Sequence, residues 1–473
     1  MSPRELPEGF TAMLHESLPG DVAATLAAAL SDTEPSVSVR SNALRGVSPA
    51  DGFKRVPWLG TGIYLDERPV FAADPAWHQG LYYVQDASSM IMTEAVREIV
   101  RQRGDGATLR FLDACAAPGG KTISATEGLP AGSAILANEY DRKRAGALTE
   151  NLGKYGYPNI AVCNSDAAKL GKLGPVFDIV AVDAPCSGEG MMRKEPEAIR
   201  QWSRSLVESC AALQREILAG VWDALKPGGI IIYSTCTFNP DENEKNVGFI
   251  AEELGAESVD LRLDRFEGVC RGFGTPHHSY HLFPGLVRGE GLFIAALRKH
   301  ESGFSEPKMK APAAVRDKNT ADFASKALLN PEKYTLLADG DAFSVCSANQ
   351  AAFFAYLASG LKLMRCGLPL CRLKGKDTLP AWETAFSTAF NPDAFDSIPL
   401  DYAAAMSYLH GDSLTDIPEA CARGIVTATY DGVPLGFAKN IGRRANNLYP
   451  DYLRLRMDPS SAAPQQPLIS KQL

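Results

Sequence analysis

Several things are scarce in this chain of 473 residues. No apolar run approaches the roughly 18 residues that a membrane-crossing helix needs, so no membrane role is expected. The ten cysteines include no C-x-x-C pair and no cluster with histidine at zinc-ligand spacing, so no metal is expected. Positive charge is not in excess either: the formal net charge is −8. That excludes a chain that coats nucleic acid over its whole surface, while leaving room for a local basic groove. The first ten residues lack the basic-then-apolar pattern of a secretory signal, and a cytoplasmic protein with reduced cysteines is expected. What remains is ordinary globular material, 45% hydrophobic and 22% charged.

The length suggests about two to four domains. In residues 1–100 the clearest elements are a helix over 22–30, an alternating strand over 36–40 leading to Asn42, and a helix after 86–90 running to about Val100. Residues 46–80, rich in glycine, proline and aromatics, read as irregular. From 108 to about 300 strands and helices alternate, the pattern of a mostly parallel α/β sheet. Expected strands are 109–112, 134–138, 160–164, 177–182, 230–234 and a late pair near 281–283 and 292–298. One long helix is expected over 197–225, stopped by Pro227-Gly-Gly229. Residues 301–320 read as a linker. Residues 321–395 and 396–457 read as further α+β structure, with a hairpin turn at Asp431-Gly432. Residues 458–473, made of Ser, Ala, Pro and Gln, read as a disordered tail.

The central stretch is Asp113-Ala-Cys-Ala-Ala-Pro-Gly-Gly-Lys-Thr122, a strand end, a small-residue loop and a helix start. α/β proteins hold nucleotide-like ligands at such places. Residues 115–122 fit the P-loop template except that Cys115 replaces its first glycine. Glu139 argues against a P-loop ATPase. It ends the next strand, where doubly wound folds grip ribose hydroxyls with an acid. Asp113, Glu139, Asp166 and Asp183 end successive strands and place carboxylates along one sheet edge. That set suits S-adenosylmethionine.

Two cysteine motifs, Asp183-Ala-Pro-Cys186-Ser-Gly and Ser234-Thr-Cys236-Thr, follow strand ends beside that edge. Two thiols there suggest covalent chemistry on a base. C5 of cytosine is too weak a nucleophile to take a methyl group from a sulfonium. A thiolate added at C6 makes the ring enamine-like, so C5 can attack. Asp183 is placed to stabilise charge developing in the ring, and Lys121 to assist electrostatically. The other cysteines, Cys163, Cys210, Cys270, Cys346, Cys366, Cys371 and Cys421, read as small core residues.

These motifs resemble the Nop/Sun family of RNA cytosine-C5 methyltransferases over roughly residues 35–300. Further matches are Asn138-Glu-Tyr-Asp141 with Arg144 and Asn151, Asn239-Pro-Asp-Glu-Asn243, and Phe283-Pro with Gly289-Glu-Gly-Leu-Phe293. The resemblance implies a Rossmann-like S-adenosylmethionine methyltransferase core at 101–300, a small N-terminal α+β domain at 1–100, and a C-terminal α+β, PUA-like RNA-binding region at 396–457. It implies that Cys236 is the nucleophile and Cys186 assists release of the product. Cys115, Ala116, Ala117, Pro118, Gly119, Gly120, Lys121, Glu139, Asp166 and Asp183 would bind S-adenosylmethionine. The segment Gly436-Phe-Ala-Lys439 with Gly442-Arg-Arg-Ala-Asn-Asn-Leu-Tyr-Pro450 is similar to the end of RsmF-type enzymes, which methylate small-subunit ribosomal RNA. There Arg443, Arg444, Tyr449, Arg454, Arg456 and Tyr452 suit phosphate contact and base stacking. The expected partner is 16S rRNA or the small ribosomal particle, with the chain a monomer. A tRNA methyltransferase, a P-loop ATPase and a catalytically silent assembly factor are the alternatives.

Overall fold

Five apolar stretches, each buried on both faces, form the parallel centre of the computed structural model, which describes residues 4–32, 34–375, 377–461 and 463–471. They are β1 (Arg110–Asp113), β2 (Ala134–Asn138), β3 (Ile160–Cys163), β4 (Phe177–Asp183) and β5 (Leu225–Thr235). Runs such as Ile-Val-Ala-Val in β4 and Ile-Ile-Ile-Tyr in β5 suit strands covered by helices on both sides. The antiparallel β6 (Tyr280–Leu282) and β7 (Leu292–Lys299) extend the sheet, giving the order β6-β7-β5-β4-β1-β2-β3 within it. Between the strands run α1 (Gly120–Gly128), α2 (Arg142–Tyr155), α3 (Ala167–Gly171) and α4 (Arg204–Val221), with α5 (Glu244–Glu252) after β5. Strand order reverses between β1 and β4, and the crevice at their carboxyl ends is where such sheets bind ligands.

The expected helix over 197–225 is broken. A short helix, Pro196–Gln201, ends at Trp202, whose backbone is extended, and Ser203 caps α4 by accepting from the Leu206 N–H at 3.1 Å. Pro227-Gly-Gly229 does not stop a helix but lies within β5, where the register with β4 shifts between Leu225 and Ile230. Periodicity alone could not see a cap supplied by one serine.

The region before β1 packs directly against this sheet. A four-stranded antiparallel sheet orders Arg55–Val56, Leu59–Leu65, Val37–Ser41 and Tyr82–Val84, so residues 46–80 hold more strand than expected. Val56, Trp58 and Tyr64 share a core with Ile123 and Ile135, and Phe10 and Leu26 share one with Met192 and Trp202. Arg40 is buried and pairs with Glu127 of α1 at 2.5 Å, tying this sheet to the helix that follows the small-residue loop.

After β7, residues 301–317 lack regular structure, and a helix over Lys318–Ala327 begins inside the stretch 301–320 expected as a linker. Glu306 nevertheless pairs with Arg110 and Lys226 at the base of the sheet. The strand Leu363–Cys366 then adds to the edge of the central sheet beside β3. A last four-stranded sheet orders Ser397–Leu400, Gly424–Tyr430, Val433–Asn440 and Ala445–Asn447. Its hairpin turns at Asp431 and Gly432, both with positive φ, as their residue types favour. The described part of the tail is not disordered: Ile469–Lys471 pairs antiparallel with Val47–Pro49, and Leu468 and Ile469 enter a core with Val39 and Ile63. Two apolar residues in a polar segment are enough to seat it. Ala462, Gln472 and Leu473 lie outside the described residues. Among those described, no helix is long and apolar enough to cross a membrane, and no His/Cys/Asp/Glu group is placed to hold a metal.

Candidate active site

The loop after β1 begins at a buried carboxylate. Asp113 accepts from the Thr122 hydroxyl at 2.7 Å, closing the loop from its first residue to its tenth. Burial pushes the Asp113 carboxyl up to about 7, against that hydrogen bond. Asp113 therefore holds the loop, unlike its expected place in a row of four ligand-facing carboxylates. Gly119 has φ +114, a conformation that a side chain would strain, and it precedes α1. Helix α2 clamps the loop from the other side. The Arg144 guanidinium donates to the Ala117 carbonyl at 2.9 Å, and the Asn151 amide donates to the Pro118 carbonyl at 2.8 Å. These contacts place Cys115 through Gly120 around the start of α1, whose N–H groups suit a negatively charged or polar ligand.

Glu139 lies past the end of β2. One oxygen accepts from the Asp141 N–H at 2.9 Å, and Arg144 stands 3.5 Å from the other. Asp166 follows β3 and caps α3 through the Lys169 N–H at 2.8 Å, its side chain 44% exposed. Its second oxygen is left to solvent and to Lys169 at 3.6 Å. Acceptors at Glu139 and Asp166, beside the N–H groups of the loop, form a donor and acceptor set that fits S-adenosylmethionine with its hydroxyls, adenine and ammonium.

The reacting groups meet one strand further on. Asp183 and Ser234 are register partners on β4 and β5, so Cys186 and Cys236 emerge from neighbouring strands within three residues of a common level. Their sulfurs are 3.1 Å apart, and both residues are half-buried. Asp183 accepts from Lys121 at 2.9 Å through one oxygen and from the Ser234 hydroxyl at 2.9 Å through the other. The hydrogen bond from Cys186 holds the Cys236 thiol below its ordinary value, and the Lys121 charge adds to this against burial and Asp183. Cys186 moves the opposite way, raised by its bond to Cys236 and by burial. The Lys121 ammonium is raised, its burial outweighed by Asp183. Of the two thiols, Cys236 is therefore the one more readily ionised. Burial leaves the Cys115 thiol well above its ordinary value, so it is inert.

Four polar residues to which the sequence assigned no role belong here: Ser234 and Glu242, both inside motifs named above, with Gln214 and Glu189. All four are buried. The one available signal was polar side chains within otherwise apolar or small-residue runs, as at Ser234 after Ile-Ile-Ile-Tyr.

The C-terminal basic and aromatic set does not stay together. Arg443 and Arg444 are exposed in the turn before Ala445–Asn447, near Arg423. Tyr449 is 3% exposed and packs on Tyr408 with ring centroids 5.8 Å apart, so it cannot stack on a base. Tyr452 is exposed, with the Trp382 indole donating to its hydroxyl at 2.8 Å. Arg454 pairs with Asp451 at 2.6 Å, and Arg456 is exposed.

The chain matches the family described as 16S rRNA methyltransferase RsmB/F over residues 103–298. It also matches the N-terminal domain of 16S rRNA methyltransferase RsmF over 6–87 and the methyltransferase RsmF PUA domain over 395–455. It is 31% identical to a ribosomal RNA small subunit methyltransferase F from Enterobacter sp. over 473 residues, covering 94% of this chain and 95% of the relative. Identity is 32% over 412 residues to the protein of that name from Serratia proteamaculans, with 84% and 83% covered. A crystal structure of a methyltransferase homolog from Pyrococcus horikoshii is similar at a TM-score of 0.50 and 27% identity, covering 62% of this chain and 95% of that one.

Proposed function

The chain belongs to the 16S rRNA methyltransferase RsmB/F family, and from that premise we propose how its own residues carry out the reaction. The enzyme transfers a methyl group from S-adenosylmethionine to C5 of a cytosine in RNA, and its substrate is small-subunit ribosomal RNA. The single observation behind the assignment of roles is the pair of sulfurs 3.1 Å apart beside the Lys121–Asp183 pair.

The target cytosine must leave its stack for a thiol to reach C6. Cys236 adds to C6 as the thiolate, and the electron pair moves into the ring so that C5 becomes nucleophilic. Lys121 offsets the negative charge developing in the ring, while Asp183 fixes Lys121 and offers an acceptor to the cytosine amino group. Residues 115–121, Glu139, Asp166 and Asp183 would hold S-adenosylmethionine, which when bound would supply the electrophilic methyl group. Once Cys236 is bound to carbon, its contribution to raising the Cys186 thiol is gone, while burial and Glu242 still act. Cys186 then releases its own proton to solvent and accepts the C5 proton as the thiolate, and the electron pair left by that proton breaks the C6–sulfur bond to free Cys236 as a thiolate. A sulfonium donor needs no Lewis acid. The exposed Arg443–Arg444 turn supports contact with the RNA.

The test is transfer of a tritiated methyl group to small-subunit rRNA from a strain lacking the gene, with bisulfite sequencing to locate the product. A single modified cytosine class in that RNA is expected. Modification of tRNA alone would overturn the substrate, and tight binding of ATP with magnesium and none of S-adenosylmethionine would overturn the chemistry.

A further inference from the structure

Cys186 and Cys236 stand on two loops that share no covalent link, and their approach is carried by two buried carboxylates. Glu242 lies on the loop of Cys236. One of its oxygens accepts from the Ser187 N–H at 3.0 Å and the Gln214 amide at 2.7 Å. The other accepts from the Ser187 hydroxyl at 2.5 Å and the Asn239 amide at 2.8 Å. Glu189 lies on the loop of Cys186. One oxygen accepts from the N–H groups of Phe238 and Asn239 at 2.6 and 3.1 Å, and the other from the Asn239 amide at 2.9 Å and the Trp202 indole at 3.0 Å. Each loop thus sends a carboxylate to the backbone N–H groups of the other, and the Asn239 amide is shared between them.

Both glutamates are 0% exposed, and every donor named is neutral. Burying a carboxylate without a cation costs free energy, and a hydrophobic brace would avoid it. Inward-facing N–H groups in tight loops need acceptors, and a carboxylate can accept four donors without bringing one of its own. The loops also meet through backbone: the Gly190 N–H donates to the Cys236 carbonyl at 2.8 Å, and a Cβ at Gly190 would stand 2.8 Å from that oxygen. The charge has a second effect, since Glu242 opposes ionisation of both thiols.

We propose that Glu189 and Glu242 are positioning residues, a reciprocal pair of carboxylates that holds the release thiol at the nucleophile while touching neither RNA nor methyl donor. The inference rests on the roles given to Cys236 and Cys186 above. Its test has an arm that needs no RNA. In a glutathione buffer the two thiols and one glutathione disulfide exchange to one intramolecular disulfide and two glutathiones. Alkylation and mass spectrometry of the 186–236 pair read that equilibrium. In E189Q and E242Q, chosen to preserve shape, the effective concentration of the two thiols is expected to fall tenfold or more. Turnover should fall tenfold or more, with KM for RNA and for S-adenosylmethionine within twofold of wild type. E127Q, which perturbs the buried carboxylate paired with Arg40, should lower the melting temperature and leave the thiol equilibrium unchanged. Wild-type equilibrium in both glutamine variants, an equal shift in E127Q, or a shifted equilibrium with unchanged turnover would each overturn the proposal. A wild-type protein without methyl transfer would instead remove the functional reading, leaving the thiol equilibrium to judge the brace alone.

Discussion

The edge of the central sheet and the C-terminal hairpin region both carry polar and charged residues that stand out in the sequence, yet they behave differently on folding. At the sheet edge Lys121, Asp183, Cys186 and Cys236, spread over more than a hundred residues, converge into two neighbouring hydrogen-bonded pairs. In the hairpin region residues no more than nine positions apart scatter: Arg443 and Arg444 occupy one turn, Tyr452 meets Trp382, and Tyr449 is core. Residues placed by the carboxyl ends of parallel strands inherit a common level from the ladder. Residues in irregular segments inherit nothing from sequence proximity.

The contrast can be broken most severely at the nucleophile. C236A should lower methyl transfer to below roughly a thousandth of wild type while S-adenosylmethionine affinity measured by calorimetry stays unchanged. In C186A a covalent RNA–protein species should accumulate as a slow band on a denaturing gel, since the proton that must leave C5 no longer has its acceptor. A smaller effect is expected at Lys121. K121M removes a cation that favours the Cys236 thiolate. Loss of that cation raises the thiol, so the acid limb of the kcat/KM profile should move to higher pH, by about one unit. If the limb stays in place, Lys121 does not act on the thiol.

The hairpin region supplies the smaller tests. Y449A should cost about 3–5 kcal/mol by chemical denaturation, the scale of a large core side chain. Y449F should be nearly neutral, because the buried hydroxyl has no hydrogen-bond partner among the described residues. Neutralising Arg443 and Arg444 together should weaken RNA binding several-fold at low salt, with kcat unchanged. The salt slope of binding should also fall, by about one for each phosphate that these arginines neutralise. Equal effects from Y449F and from the arginine pair would erase the distinction between a core tyrosine and an RNA-facing turn.

Much of the active edge was legible because its grammar is local. A strand that ends in Asp113, a loop needing Gly119 at positive φ, and a helix beginning at Gly120 are written within a dozen residues. The alternation that announced β1 to β5 is equally local, since it reflects strands buried on both faces. The C-terminal difference has the opposite origin. Tyr449 looks like a stacking residue beside arginines, and only the packing of Tyr408, Leu409 and Leu453 around it makes it core. The same holds for the tail, where Leu468 and Ile469 find a surface some 400 residues earlier in the chain.

The sequence alone determined which chemistry is present: a small-residue loop for a nucleotide-like methyl donor, acids at strand ends, and two cysteines beside them. Tertiary structure decided how those groups act on each other. It set the 3.1 Å approach of the thiols, the pairing of Lys121 with Asp183, the withdrawal of Asp113 into the loop, and the crossed carboxylates of Glu189 and Glu242. Residue type and strand propensity are properties of a short stretch of chain. Ionisation and loop register depend on what burial brings alongside, and no short stretch contains that.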